Sequence, residues 1–167
     1  PISLTDGKTL QVTQTAAGTL DIPLHVTSLT LVGPGLETPV SGSGQVTIRL
    51  GHTVALKITD LNMHGGNGQA FLAGDQSGQV TLELDNVDLS GGTAIGGAMT
   101  GGSGIALPRA GLELTAKNSV TVSGGGGTRK GGSGVEADRL TLRGSLTLTG
   151  GDSSGGTSRG VNGAGIA

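Results

Sequence analysis

The chain is predicted to be all-β, a right-handed parallel β-helix of about five full coils, each of roughly 26–33 residues and three short strands. Three observations predict it. A triplet with apolar residues flanking a polar one, followed shortly by glycine, recurs from end to end. Its glycines fall at positions 7, 33, 65, 91, 124 and 150, at intervals of 26, 32, 26, 33 and 26, so one unit repeats and two copies carry insertions. The composition agrees: with 35 Gly, one Phe and no Trp, Tyr or Cys, the core must be assembled from many small, similar units. The aromatic residues that bury the largest areas are almost entirely missing.

The elements follow in order. The recurring triplets, read as third strands, are Ile2-Ser3-Leu4, Leu29-Thr30-Leu31, Leu61-Asn62-Met63, Val87-Asp88-Leu89, Val120-Thr121-Val122 and Leu146-Thr147-Leu148. Alternating runs before them read as second strands: Ile22 to Val26, Val54 to Ile58, Val80 to Leu84, Leu112 to Leu114 and Leu140 to Leu142. Weaker runs earlier still read as first strands: Leu10 to Val12, Val46 to Ile48, Ala70 to Leu72, Ile105 to Leu107 and Val135 to Ala137. Period-two alternation marks a strand with one face inward and one outward. Each strand must then turn a corner, and Gly150-Gly151 after Leu148 is read as the backbone freedom such a corner needs. The stretches "GGTAIGGAMTGGSG" (91–104) and "GGGGTRKGGSG" (124–134) are expected to protrude as loops that absorb the length variation.

Composition removes several classes. A net charge of −2 offers no electrostatic footprint for nucleic acid. No apolar stretch approaches the roughly 18 residues that span a bilayer as a helix, so direct membrane insertion is not expected. A calcium-binding nonapeptide array would repeat G-G-x-G-x-D every nine residues, and "GGSGVEADRL" does not.

The stretch "GGSGVEADRLTLRGSLTLTGGDSSGG" (131–156) resembles the right-handed β-helical repeats of bacterial secreted and surface proteins, including autotransporter passengers and large adhesins. That resemblance is architectural and covers the whole chain. It implies an extracellular or cell-surface location. The phase of the repeat adds an expectation that the chain is a segment of a longer solenoid. Its terminal coils are then open and prone to end-to-end self-association.

The architecture that the chain resembles is shared by polysaccharide lyases and hydrolases, whose chemistry sits on the outward faces. The resemblance implies catalytic acids on the outer face of the first strands, read as Gln11, Thr47, Phe71, Ala106 and Glu136. One carboxylate among five supplies no acid–base pair for glycoside hydrolysis. The cluster Asp85-Asn86-Val87-Asp88 suits weak cation binding, but Asp60, Asn86 and Asn118 recur at one corner and are read as caps for turn backbone. His25, His52 and His64 are scattered and read as solvated surface residues; no cofactor or metal set is expected. "GGGGTRKGG" departs from the phosphate-binding loop because Lys130 is followed by Gly and no helix follows.

Two outward ladders remain. The second strands present His25, Lys57, Glu83, Thr115 and Arg143; the third present Thr30, Asn62, Asp88, Thr121 and Thr147. The latter is the candidate surface site. The expected function is a non-catalytic structural or adhesive segment presenting Gly-rich loops to a protein or glycan on a host or neighbouring cell. A carbohydrate-binding or polysaccharide-degrading module is the alternative, and ice binding through the Thr-bearing face is a lesser one.

Overall fold

The computed structural model describes residues 4–13, 18–48, 52–74, 78–96, 100–153 and 166. Among them the chain is all-β and without helix. Ten strands follow in order: β1 (Lys8–Gln11), β2 (Gly18–Ile22), β3 (Ser28–Val32), β4 (Gly44–Ile48), β5 (Val54–His64), β6 (Leu72–Gly74), β7 (Gln79–Ser90), β8 (Ile105–Ser123), β9 (Val135–Arg143) and β10 (Thr147–Thr149). They form one sheet in which every strand pairing is parallel. The sheet curls round on itself because β5, β7 and β8 run through a bend without losing their partners. The fold is solenoid-like.

Three ladders run through this sheet. The first joins β2, β4, β6 and the starts of β8 and β9; the second joins β1, β3, β5, β7, β8 and β9. The third joins the ends of β5, β7 and β8 to β10. Pairing in register stacks like on like. Leu29, Leu56, Leu82, Leu114 and Leu142 occupy one rank, and Met63, Leu89, Val122 and Leu148 another. Leu56, Leu82 and Leu114 are 2% exposed or less, whereas Leu142 is 43% exposed at the far end of its rank. At about 25 cal/mol per Å² of apolar surface removed from water, repeated ranks of this kind are the main stabilising term.

The early chain departs from its sequence reading. Ile22 to Val26 is not a strand of the second ladder. Ile22 closes β2, Pro23 has no N–H to give a ladder, and the chain folds into a turn in which the Val26 amide donates to the Pro23 carbonyl at 2.9 Å. Leu24 is left 60% exposed. The second-ladder strand is instead β3, so Leu29-Thr30-Leu31 lies beside Leu56-Lys57-Ile58 and not beside Leu61-Asn62-Met63. Leu10-Gln11-Val12 shifts likewise, because Leu10 of β1 pairs with Leu31. Phe71 precedes β6 at a corner where strand alternation does not hold, and it is buried rather than outward. Ile2 and Ser3 of the first triplet lie outside the described residues.

Candidate functional site

The bend between the second and third ladders is built by three residues in the left-handed backbone region: Asp60 (φ 53°), Asn86 (φ 57°) and Asn118 (φ 56°). Asn and Asp enter this region more readily than other non-glycine residues. Gly144 (φ 88°) follows Arg143 of β9 and precedes β10. Burial shows the effect: Val54, Leu56 and Ile58 point inward, then Leu61 and Met63 do, a phase change of one across Asp60. The sequence reading expects bonds to turn backbone; two side-chain hydrogen bonds at this bend instead run from strand to strand, and within β5 the Thr59 hydroxyl donates to Asp60 Oδ2 at 3.4 Å. Asn86 Nδ2 donates to Asp60 Oδ1 at 2.6 Å, and Asn118 Nδ2 to Asp85 Oδ1 at 2.6 Å.

On the third ladder Asn62, Asp88, Thr121 and Thr147 stand in register, flanked by the rank His64, Ser90, Ser123 and Thr149. Thr30 does not join them. It pairs with Lys57, so the second-ladder outward rank is Thr30, Lys57, Glu83, Thr115, Arg143, and His25 is displaced into the turn before β3. One misplaced strand accounts for both corrections.

Glu83 binds two lysines from the strands on either side, Lys57 Nζ at 3.0 Å and Lys117 Nζ at 2.9 Å. The hydrogen bonds from Lys117 and then Lys57 hold its carboxyl below the usual glutamate range, and Glu83 in turn raises Lys57. Asp6 forms a comparable clip nearer the start. Its Oδ1 accepts from the Thr27 hydroxyl and from the amides of Thr27 and Ser28. The Thr27 hydroxyl is the largest cause of its lowered pKa. The histidines also tie neighbouring turns: His25 Nε2 donates to the Leu4 carbonyl at 3.1 Å and His52 Nε2 to the Val26 carbonyl at 2.6 Å. His52 is buried, contrary to its surface reading, and its Nδ1 has no partner among the described residues.

The Gly-rich stretches are the largest surprise. They do not protrude as whole loops. Gly91, Gly92, Gly101, Gly102, Gly104, Gly125, Gly127, Gly132 and Gly151 are buried, and two sets of backbone interleave. Amides of Gly151, Gly132, Gly125, Gly102 and Gly92 donate in turn to the carbonyls of Gly132, Gly125, Gly102, Gly92 and Gln69, at 2.7 to 2.9 Å. A β-carbon on Gly92 would meet the Gly66 carbonyl oxygen, and one on Gly125 that of Gly92. Neither they nor Gly151 has a positive φ, so close approach and not backbone freedom demands glycine there. Among the described residues of these stretches, the exposed ones are Thr93, Ile95, Gly96, Thr100 and Thr128 to Lys130; 97–99 lie outside the described residues.

Beside the first tip lies a groove of about 500 Å³ lined by Ser43, His64, Asn67, Ser90, Thr93 and Ile95. A second, apolar slot of about 270 Å³ opens between β1, β2 and β4, with Leu20, Met63 and Phe71 in its walls. The first ladder carries outward Asp21, Thr47, Ala73, Ala106 and Glu136. Its two carboxylates are four strand spacings apart, about 19 Å, against the roughly 5–9.5 Å of glycosidase pairs. Glu136 Oε1 accepts from the buried Ser103 hydroxyl at 2.7 Å. Among the described residues no group of three or more His, Asp or Glu is placed to hold a metal ion. No family model, curated protein or solved structure matches the chain.

Proposed function

We propose that the chain is a right-handed parallel β-helix of about five full coils that serves as a non-catalytic structural and adhesive segment of a bacterial extracellular or surface protein. Its partner is a protein or glycan on a host or neighbouring cell. The observation that carries this reading is the uniformity of the long flanks. Inward ranks of Leu, Val and Ile are repeated strand after strand, while outward ranks carry side chains that clip neighbours together. Such a body is a stiff spacer with extended lateral surfaces. Right-handedness is supported by the strong preference for right-handed crossovers between parallel strands.

Polysaccharide cleavage is the less favoured reading, since Asp21 and Glu136 are too far apart to share a glycosidic bond. Ice binding through the threonine face is weakened by Asn62 and Asp88, which share the rank with Thr121 and Thr147. The test is retention of the fluorescently labelled chain on bacterial and epithelial cells, alongside assays on pectin and glucan. Saturable retention without turnover is expected. Sugar release abolished by a single Asp or Glu substitution would overturn the reading.

A further inference from the structure

We propose that the groove between residues 64–67 and 90–95 is a binding site for a neutral saccharide. The inference rests on the adhesive reading and names the place on the solenoid where recognition occurs. One wall is the end of the third ladder, where His64 and Ser90 stand in register on adjacent strands. His64 Nδ1 donates to the Gly65 carbonyl at 2.9 Å, which leaves Nε2 as an exposed acceptor. The Ser43, Ser90 and Thr93 hydroxyls add donors that are also acceptors. Among the described residues the lining contains no Asp, Glu, Lys or Arg. Sialylated, sulfated or phosphorylated ligands would therefore find no ion pair there. A volume of about 500 Å³ lies within the range of small-ligand sites.

The other wall is a preorganised apolar ledge. Ile95 is 70% exposed, yet its backbone is clamped on both sides by one amide: its N–H donates to Asn67 Oδ1 at 2.6 Å, and its carbonyl accepts from Asn67 Nδ2 at 2.9 Å. Ala94 donates to Gly126 at 2.8 Å and Thr93 accepts from Gly68 at 3.3 Å. The ledge is thus held before any ligand arrives, which lowers the ordering cost of binding. With no Trp or Tyr in the chain and its one Phe buried, a fixed isoleucine offers an apolar surface to the C–H face of a sugar. A peptide adding as a strand is disfavoured because the backbone groups named here are already paired.

The test uses a printed array of neutral, sialylated and sulfated oligosaccharides, followed by NMR titration with the strongest neutral probe. Binding to neutral probes is expected, with shifts confined to residues 64–67 and 90–95. Ile95→Ser and Ser90→Val should each weaken binding about tenfold, while Thr115→Val on the second ladder leaves it unchanged. Asn67→Ala should weaken it and speed exchange of the Ile95 amide in an otherwise superimposable spectrum. Silence of every neutral probe, binding confined to acidic ones, or shifts elsewhere would overturn the site. Cells that retain the parent chain and Ile95→Ser equally would reject the site and keep the adhesive reading. Cells that retain neither, with the neutral probe still bound at the groove, would do the reverse.

Discussion

Along the second ladder, neighbouring strands are separated by their own backbone pairing and joined beneath it by leucine on leucine. Along the seam through Gly92, Gly102, Gly125 and Gly132, successive segments touch backbone to backbone with no side chain between them. The two regions meet the same axial repeat with opposite chemistry. One removes apolar area from water and tolerates modest changes of shape. The other gains close packing and hydrogen bonds, and tolerates no β-carbon. A chain that is rich in both leucine and glycine is therefore not divided into core and linker; it has two kinds of packed interior.

The largest effect should come from the leucine side. Leu82→Ala removes a fully buried side chain from the middle of its rank and should destabilise by about 2–5 kcal/mol in urea melts. Leu142→Ala, at the exposed end of the same rank, should lose about 1 kcal/mol. Equal losses would mean that the rank does not end where the burial says it does.

The seam is tested by one methyl group. Gly125→Ala places its β-carbon on the Gly92 carbonyl and should lose about 1–3 kcal/mol, with Thr93 and Ala94 amides exchanging faster. Gly96→Ala meets nothing within 4 Å and is opposed only by its φ of +73°, so it should lose about 1 kcal/mol without altering those amides. A harmless Gly125→Ala would dissolve the distinction between the two interiors.

The bend joining the second and third ladders is next. Asn86→Ala forfeits both the left-handed preference and the hydrogen bond to Asp60, for a loss of about 1–2 kcal/mol, and Asn86→Gly should recover part of it. The smallest effect is electrostatic. Glu83 is held below the ordinary carboxylate range in the folded chain, so its contribution is present above the unfolded pKa and lost as pH falls through the folded one. Glu83→Gln should therefore lose at most about 1 kcal/mol at neutral pH, nothing in strong acid, and less in high salt. A loss that grew on acidification would have the wrong sign.

Legibility divides along the same line. The inward stacking of Leu56, Leu82 and Leu114 was readable, since strand alternation dictates which side chains share a face. The recurrence of Asp60, Asn86 and Asn118 at one bend was readable too, although their strand-to-strand hydrogen bonds were not. Ile22 to Val26 alternates as well as any strand, and only Pro23 in its midst warned of a turn. That single misplacement put Thr30 on the wrong rank.

The sequence by itself determined the parallel all-β architecture and the period, because alternation and glycine spacing are local properties that survive along the chain. It also determined the net charge of −2. The tertiary structure alone decided that the glycines are packed rather than free, that His52 and Phe71 are buried, and that Asn67 reaches across to hold Ile95. These depend on which segments lie one coil apart. A glycine required by a neighbour's carbonyl reads the same as one required by a turn until the two backbones are brought together.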